Sequence, residues 1–215
     1  MQKIFYLMRH GQTLFNAQGR IQGACDSPLT ALGIKQAQAA RAHFQEEDII
    51  FDKVYSSTQE RACDTAEIAS GRTDLIRLKG LKEWNFGAFE GHQEYLNPHL
   101  FKEDGSGYRD YFVAYGGESN VEVYQRMAAT IKKALADEKE EARSLFVSHG
   151  ASITQFYRHM TVEAPILTKG MSNCAILKLA YDGTKMRVLS VYNPMDKEYI
   201  FDRWKESSNS NYDSH

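Results

Sequence analysis

Short apolar runs alternate along the chain with longer stretches of helical period. Residues 4–8 (Ile-Phe-Tyr-Leu-Met) form an uninterrupted apolar run of strand length, and the polar turn Arg9-His10-Gly11-Gln12-Thr13 follows at once. Thr30 is placed to cap a helix that runs to about Gln45, with Ala37, Ala40 and Phe44 on one face. Val54-Tyr55-Ser56 reads as a second strand, ending in Ser57-Thr58 and leading into a helix that Gly71 can close. Ser119-Asn120-Val121-Glu122 has the form of a capping box. Behind it Val121, Tyr124, Ala128, Ile131 and Leu135 recur at helical spacing, which predicts a long amphipathic helix. Leu145-Phe146-Val147 reads as another buried strand, ending at Ser148-His149-Gly150 with a helix behind it, and residues 175–179 and 186–191 read as a hairpin around Asp182-Gly183.

Strands alternating with helices imply an α/β fold: a three-layer α/β/α sandwich around a mainly parallel central sheet. Residues 1–206 read as a single domain. Within it, residues 90–117 combine Tyr95, Phe101, Tyr108, Tyr111, Phe112 and Tyr115 with Gly105, Gly107, Gly116 and Gly117, which suits an inserted lid over a site. Residues 207–215 read as a flexible polar tail.

Composition narrows the class. The chain has 215 residues, 42% hydrophobic and 25% charged, which is globular and excludes disordered, collagenous and rod-like chains. A net charge of −2 provides no general attraction to nucleic acid or to an anionic membrane, so neither is expected as a partner. The apolar run at the N-terminus is too short for a signal-peptide core and Arg9-His10 interrupts it. Three cysteines, Cys25, Cys63 and Cys174, are odd in number and scattered, which suggests free thiols in a cytoplasmic setting.

Candidate chemistry gathers where the strands should end, which is where open parallel sheets bind ligands. One strand delivers Arg9-His10-Gly11, the next leads to Arg61, and a late one delivers His149-Gly150. Singly, a histidine is more often structural than catalytic and an arginine on a helix is usually a solvated charge. Two strands that both end in His-Gly, with an arginine at one of them and another beyond the intervening strand, make an anion pocket containing a nucleophile. No cysteine is followed six residues later by arginine, there is no Gly-rich loop ending in Gly-Lys-Ser/Thr, and there is no His-Glu-x-x-His sequence. A metal-dependent mechanism has no obvious ligand set.

The stretch Leu7-Met8-Arg9-His10-Gly11-Gln12-Thr13-Leu14-Phe15-Asn16 resembles the signature of the histidine phosphatase (phosphoglycerate mutase-like) superfamily. The resemblance continues in order through Gly19-Arg20-Ile21-Gln22-Gly23, residues 26–33, Ser56-Ser57, Arg61-Ala62, Thr65-Ala66-Glu67, residues 81–91 with Glu83, Gly117-Glu118-Ser119 and Ser148-His149-Gly150. It implies that His10 takes the phosphoryl group as a phosphohistidine, that Arg9, Arg61 and His149 stabilise the transferring oxygens, and that Glu83 protonates the leaving alcohol and then activates water. Asn16 is similar to the family's amide donor to phosphate; Gln22 and Gly23 either line the entrance or only shape its loop, and Gly150 completes the substrate-binding set. Trp84, Phe86 and Phe89 are expected as core or wall, and His43, His92, His99, His159 and His215 as surface or packing residues.

The activity so implied is hydrolysis of a small phosphorylated metabolite, a phosphomonoester, with no cofactor and no metal. Two alternatives share the same core: a cofactor-dependent phosphoglycerate mutase, and a non-catalytic phosphate-binding regulatory domain. Retention of His10, Glu83 and both arginines counts against the last. Residues 92–116 offer Lys102 and Arg109 against Glu94, Glu103, Asp104 and Asp110, too few cations for the carboxylate and second phosphate of a mutase substrate, which favours the hydrolase.

Overall fold

A computed structural model of the chain describes residues 2–97, 107–160 and 171–203. Strand β1 (Lys3–Arg9) is followed by the single turn α1 (Leu14–Ala17), α2 (Ala31–Glu46), β2 (Lys53–Ser57), α3 (Glu60–Ser70) and β3 (Ile76–Leu78). After a series of 3-10 turns come α4 (Asn120–Ala136), β4 (Arg143–Ser148) and α5 (Gly150–Met160), then β5 (Ile176–Tyr181), β6 (Met186–Asn193) and β7 (Glu198–Asp202). The strands form one seven-stranded sheet in the order β3-β2-β4-β1-β5-β6-β7. The β3, β2, β4 and β1 pairings are parallel, whereas β5, β6 and β7 join antiparallel.

Alternation along β1 separates two cores. Phe5 and Leu7 face a cluster with Met127, Ile131 and Leu135 of α4 and Ile153 and Phe156 of α5. Tyr6 and Met8 face the other side, with Ala37, Ala40 and Phe44 of α2 and Ala62, Ala66 and Ala69 of α3. The sheet is thus covered on both faces, which is the three-layer α/β fold the pattern predicts.

The predicted punctuation operates as expected. The Thr30 hydroxyl accepts the Gly33 N–H, Gly71 closes α3 at φ +71°, and Ser119 and Glu122 cap α4 reciprocally. One detail differs: Val121 is exposed, and the buried stripe of α4 is Val123, Met127, Ala128, Ile131 and Leu135. Val121 is two residues from Val123, which packs on Trp84 and Phe112, and so lies on the opposite face of the helix. The sequence pattern also missed β3 and β7, short strands whose hydrogen bonds exist only once β2 and β6 offer an edge.

From the expected lid, residues 90–97 and 107–117 are described. Trp84, Phe112 and Val123 make a third, smaller cluster against which Phe86, Phe89, Tyr108 and Tyr111 pack. Most of the lid aromatics therefore hold that segment together. Phe101, His99, Lys102 and the tail at 207–215 lie outside the described residues. No helix among the described residues is long and apolar enough to cross a membrane.

Candidate active site

β1 and β4 are parallel neighbours whose last pair is Arg9 with Ser148. The His10 N–H donates to the Ser148 carbonyl at 3.0 Å, so the next residue of each strand is a histidine, and the two rings lie 5.1 Å apart. Both are buried, His10 at 2% and His149 at 0% exposure. The His10 Nδ1 stands 2.7 Å from the Gly11 carbonyl, a partner that only accepts. Nδ1 therefore carries the proton, and Nε2 keeps the lone pair that a nucleophile needs. Burial, followed by the charges of Arg61 and Arg9, holds the His10 imidazole well below the usual histidine range. Burial, then Arg61, lowers His149 in the same way.

Gly11 and Gly33 explain how β1 turns out of the sheet so tightly. A Cβ on Gly11 would lie 2.5 Å from the Gly33 carbonyl oxygen, and one on Gly33 would lie 2.1 Å from that of Gln12. Only two glycines permit the loop to rest on the start of α2. The Gly11 N–H donates to the Thr65 hydroxyl at 3.0 Å, which donates to the Arg61 carbonyl at 2.7 Å, tying the nucleophile's loop to the first turns of α3.

Arg61 is fully buried. Its Nη1 donates to the Cys25 carbonyl and to Asp26 at 2.7 Å, and its Nη2 donates to the Gly23 carbonyl at 3.1 Å. Arg9 donates through Nη1 to the Met171 carbonyl at 2.5 Å. Around these anchors four buried nitrogens have no partner: Arg9 Nε, Arg61 Nε and both ring nitrogens of His149. Unsatisfied polar atoms in such number are rare in native interiors. Two of them belong to arginines whose charges bear on His10, and the neutral His149 ring adds one N–H beside them, which suits a receptor for an anion.

Glu83 sits across the start of α5. Its Oε1 accepts the N–H groups of Trp84 and Ser152, at 2.9 and 2.8 Å, and its Oε2 accepts that of Ala151 at 3.2 Å. A carboxylate there caps the helix and suits the positive end of its dipole. Arg126, paired with Glu118 at 2.6 Å, holds the Glu83 carbonyl at 3.0 Å and those of Gly80 and Lys82.

A cavity of about 440 Å³ joins Arg9, His10, Asn16, Gln22, Gly23, Glu83 and Gly150, with Trp84 and Phe86 as wall. Arg61 and His149, fully buried, lie behind that surface. The Asn16 Oδ1 accepts from the Thr13 N–H and from Asn173, which leaves its amide NH₂ available to the cavity. Gln22 uses both ends of its amide internally, donating to Thr13 at 2.7 Å and accepting from Ser27 at 3.1 Å, and so shapes the loop. Gly23, at φ +58° with Glu90 filling the space of a Cβ, presents its carbonyl to Arg61. His43 is buried and stacked on Tyr192, a packing role, while His92 and His159 are exposed. Among the described residues no group of three or more His, Cys, Asp or Glu could hold a metal ion.

Sequence reasoning missed the supports. Asp26 orients Arg61, and Glu90 accepts the N–H groups of Ala24 and Cys25 and so sets the loop that Arg61 grips. Gln59, buried, donates to the Gly23 carbonyl at 2.7 Å and accepts the Glu83 N–H at 2.9 Å, joining the clamp of one arginine to the backbone of the acid. Asp26 and Glu90 stand within the matched blocks, which was the available signal; Gln59 carried none.

With an imidazole lone pair and a carboxylate on one cavity, and the charges of Arg9 and Arg61 bearing on that imidazole, the fold and site define a phosphoryl-transfer class. The chain belongs to the histidine phosphatase superfamily (branch 1), whose profile matches residues 5–194. It is 37% identical over 155 residues to the probable phosphoglycerate mutase GpmB of Proteus mirabilis, covering 69% of this chain and 70% of that protein. It is 28% identical over 209 residues to the metal-independent phosphoserine phosphatase of Arabidopsis thaliana, covering 94% and 81%. Among solved structures, a phosphoglycerate mutase from Bacillus anthracis superposes with a TM-score of 0.75 at 25% identity over 97% of each chain. Phosphatases and mutases thus both stand among its relatives.

Proposed function

We propose that this protein hydrolyses a small phosphomonoester through a phosphohistidine at His10. The carrying observation is the set of four unpartnered buried nitrogens on Arg9, Arg61 and His149 around an imidazole whose Nε2 is free. In the first step Nε2 forms a bond to phosphorus as the ester P–O bond breaks, and Glu83, having taken the proton of a monoanionic ester, passes it to the departing alcohol. Water then attacks the phosphohistidine and yields its proton to Glu83, the P–N bond breaks, and inorganic phosphate leaves. Charge growing on the equatorial oxygens meets donors already fixed in place, so no metal is required. Activity is expected to survive extensive chelation and vanadate to compete with substrate; activity lost in chelator and restored by one added metal would overturn this reading.

A brief quench with substrate yields an acid-labile, alkali-stable phosphoenzyme that His10→Ala abolishes. Label on any other residue overturns the mechanism. A mutase remains a second reading because the fold brings Arg20 and Arg158 to the cavity wall from outside residues 92–116, supplying cations that the count over that segment omitted. Release of phosphate is therefore compared with interconversion of 2- and 3-phosphoglycerate in the presence of bisphosphoglycerate. Efficient interconversion with little release makes the protein a mutase.

A further inference from the structure

Glu83, the proton carrier of the proposed reaction, stands on irregular backbone. It follows the 3-10 turn Lys79–Leu81 and belongs to no helix or strand, so no ladder of main-chain bonds fixes where it points. Both of its main-chain polar groups are instead held by side chains of distant elements. Its carbonyl accepts from Arg126 Nη2 at 3.0 Å, and its N–H donates to Gln59 Oε1 at 2.9 Å.

Gln59 is 5% exposed and does not line the cavity. It occupies the N-cap position of α3, yet its side chain makes no capping bond. Asp26 does that work, accepting the Glu60 N–H at 2.6 Å. The Gln59 amide reaches the other way, and backbone groups of single polarity fix both of its ends. Nε2 donates to the Gly23 carbonyl at 2.7 Å, which can only accept, and Oε1 takes the Glu83 N–H, which can only donate. The same Gly23 carbonyl accepts from Arg61 Nη2 at 3.1 Å. One buried amide therefore spans the loop that anchors Arg61 and the peptide that carries Glu83.

We propose that Gln59 is a positioning residue for Glu83, fixing the proton carrier relative to the phosphoryl group that Arg61 holds. This rests on the reading of His10, Arg61 and Glu83 as a phosphoryl-transfer site. A displaced carrier is costly because proton transfer needs heavy atoms about 2.6–3.2 Å apart. Arg126 holds the same peptide, but its charge also bears on His149, so Gln59 is the residue that isolates the effect.

The test measures phosphoenzyme formation by rapid quench with two esters. Glycerol 1-phosphate has an alcohol that must be protonated as it leaves, whereas p-nitrophenyl phosphate needs almost no protonation. In Gln59→Leu, which removes both bonds, the rate with glycerol 1-phosphate falls about tenfold or more beyond the fall with p-nitrophenyl phosphate. Gln59→Asn, one methylene shorter and still polar, changes the ratio in the same direction and carries the test if the apolar variant does not fold. Adding the Gln59 substitution to Glu83→Gln alters that ratio by less than about threefold, because a residue that acts through Glu83 then has nothing left to place. Vanadate inhibits the Gln59 variants within about threefold of its original strength, since Arg61 keeps its bonds to the Cys25 carbonyl and Asp26. Equal slowing of the two esters, a full effect in the Glu83→Gln background, or loss of vanadate inhibition each overturns the positioning role, because a merely structural residue or a support of the clamp alone gives those results. Absence of phosphoenzyme from glycerol 1-phosphate in the unaltered protein overturns the functional reading and this inference with it, whereas an unchanged ratio in an active protein overturns this inference alone.

Discussion

His10 and His149 are buried imidazoles, and burial shapes both reactivity and stability. Their affinity for protons is lowered well below the ordinary histidine value of about 6.5. The free protein therefore keeps His10 neutral into mildly acidic solution, and the acid limb that His10 imposes on kcat/KM falls below that value. Folding stability has the matching dependence. Below about pH 6.5 the unfolded chain binds protons that the folded one refuses, so stability present above that pH declines as pH falls. Urea midpoints taken from pH 7.5 to 5.5 follow this decline, and His149→Gln makes it shallower. Glu83 acts at the same scale. Glu83→Gln slows turnover of an alkyl phosphate by roughly 10²–10⁴-fold while phosphate still binds, and an activated aryl phosphate suffers less because its leaving group needs little protonation.

Each of these side chains is held by the end of an element. The loop after β1 lies against the first turn of α2, and Gly33 is the contact that closes it, with no room for a Cβ beneath the Gln12 carbonyl. Gly33→Ala must push that loop away, costing about 1–3 kcal/mol by overpacking and moving His10 with it. Thermal melts and phosphoenzyme yield fall together in this variant; a stable Gly33→Ala protein with full yield would show that the loop is placed by something else. At the far side, Gln59 before α3 bonds both the Gly23 loop and the Glu83 backbone. The elements are positioned by backbone atoms, so glycines and buried amides matter as much as the groups that react.

β4 lies between β2 and β1 at the middle of the parallel half of the sheet. Phe146 stacks on Tyr55 at 4.6 Å and meets Phe5 edge-on at 5.7 Å, linking all three strands beneath the site. Phe146→Ala removes a fully buried ring and costs about 3–5 kcal/mol, measured as a lower denaturant midpoint. Much of this molecule is written locally. Strands β1, β2 and β4, the caps of α2 and α4, and the His-Gly ends of two strands follow from apolar period and turn chemistry, which depend on near neighbours in sequence. The blocks around His10, Arg61, Glu83 and His149 are legible as contiguous motifs that resemble the family's, and Glu83 through that resemblance alone. What tertiary structure alone decided is which surfaces meet. The edges that complete β3 and β7, the use of the Gln22 amide on Thr13 and Ser27, the arrival of Arg20 and Arg158 at the cavity wall, and the span of the Gln59 amide from Gly23 to Glu83 all depend on contacts between distant segments. Sequence determines those contacts only through the whole fold, because a hydrogen bond or a cavity wall exists only when both sides have been brought together.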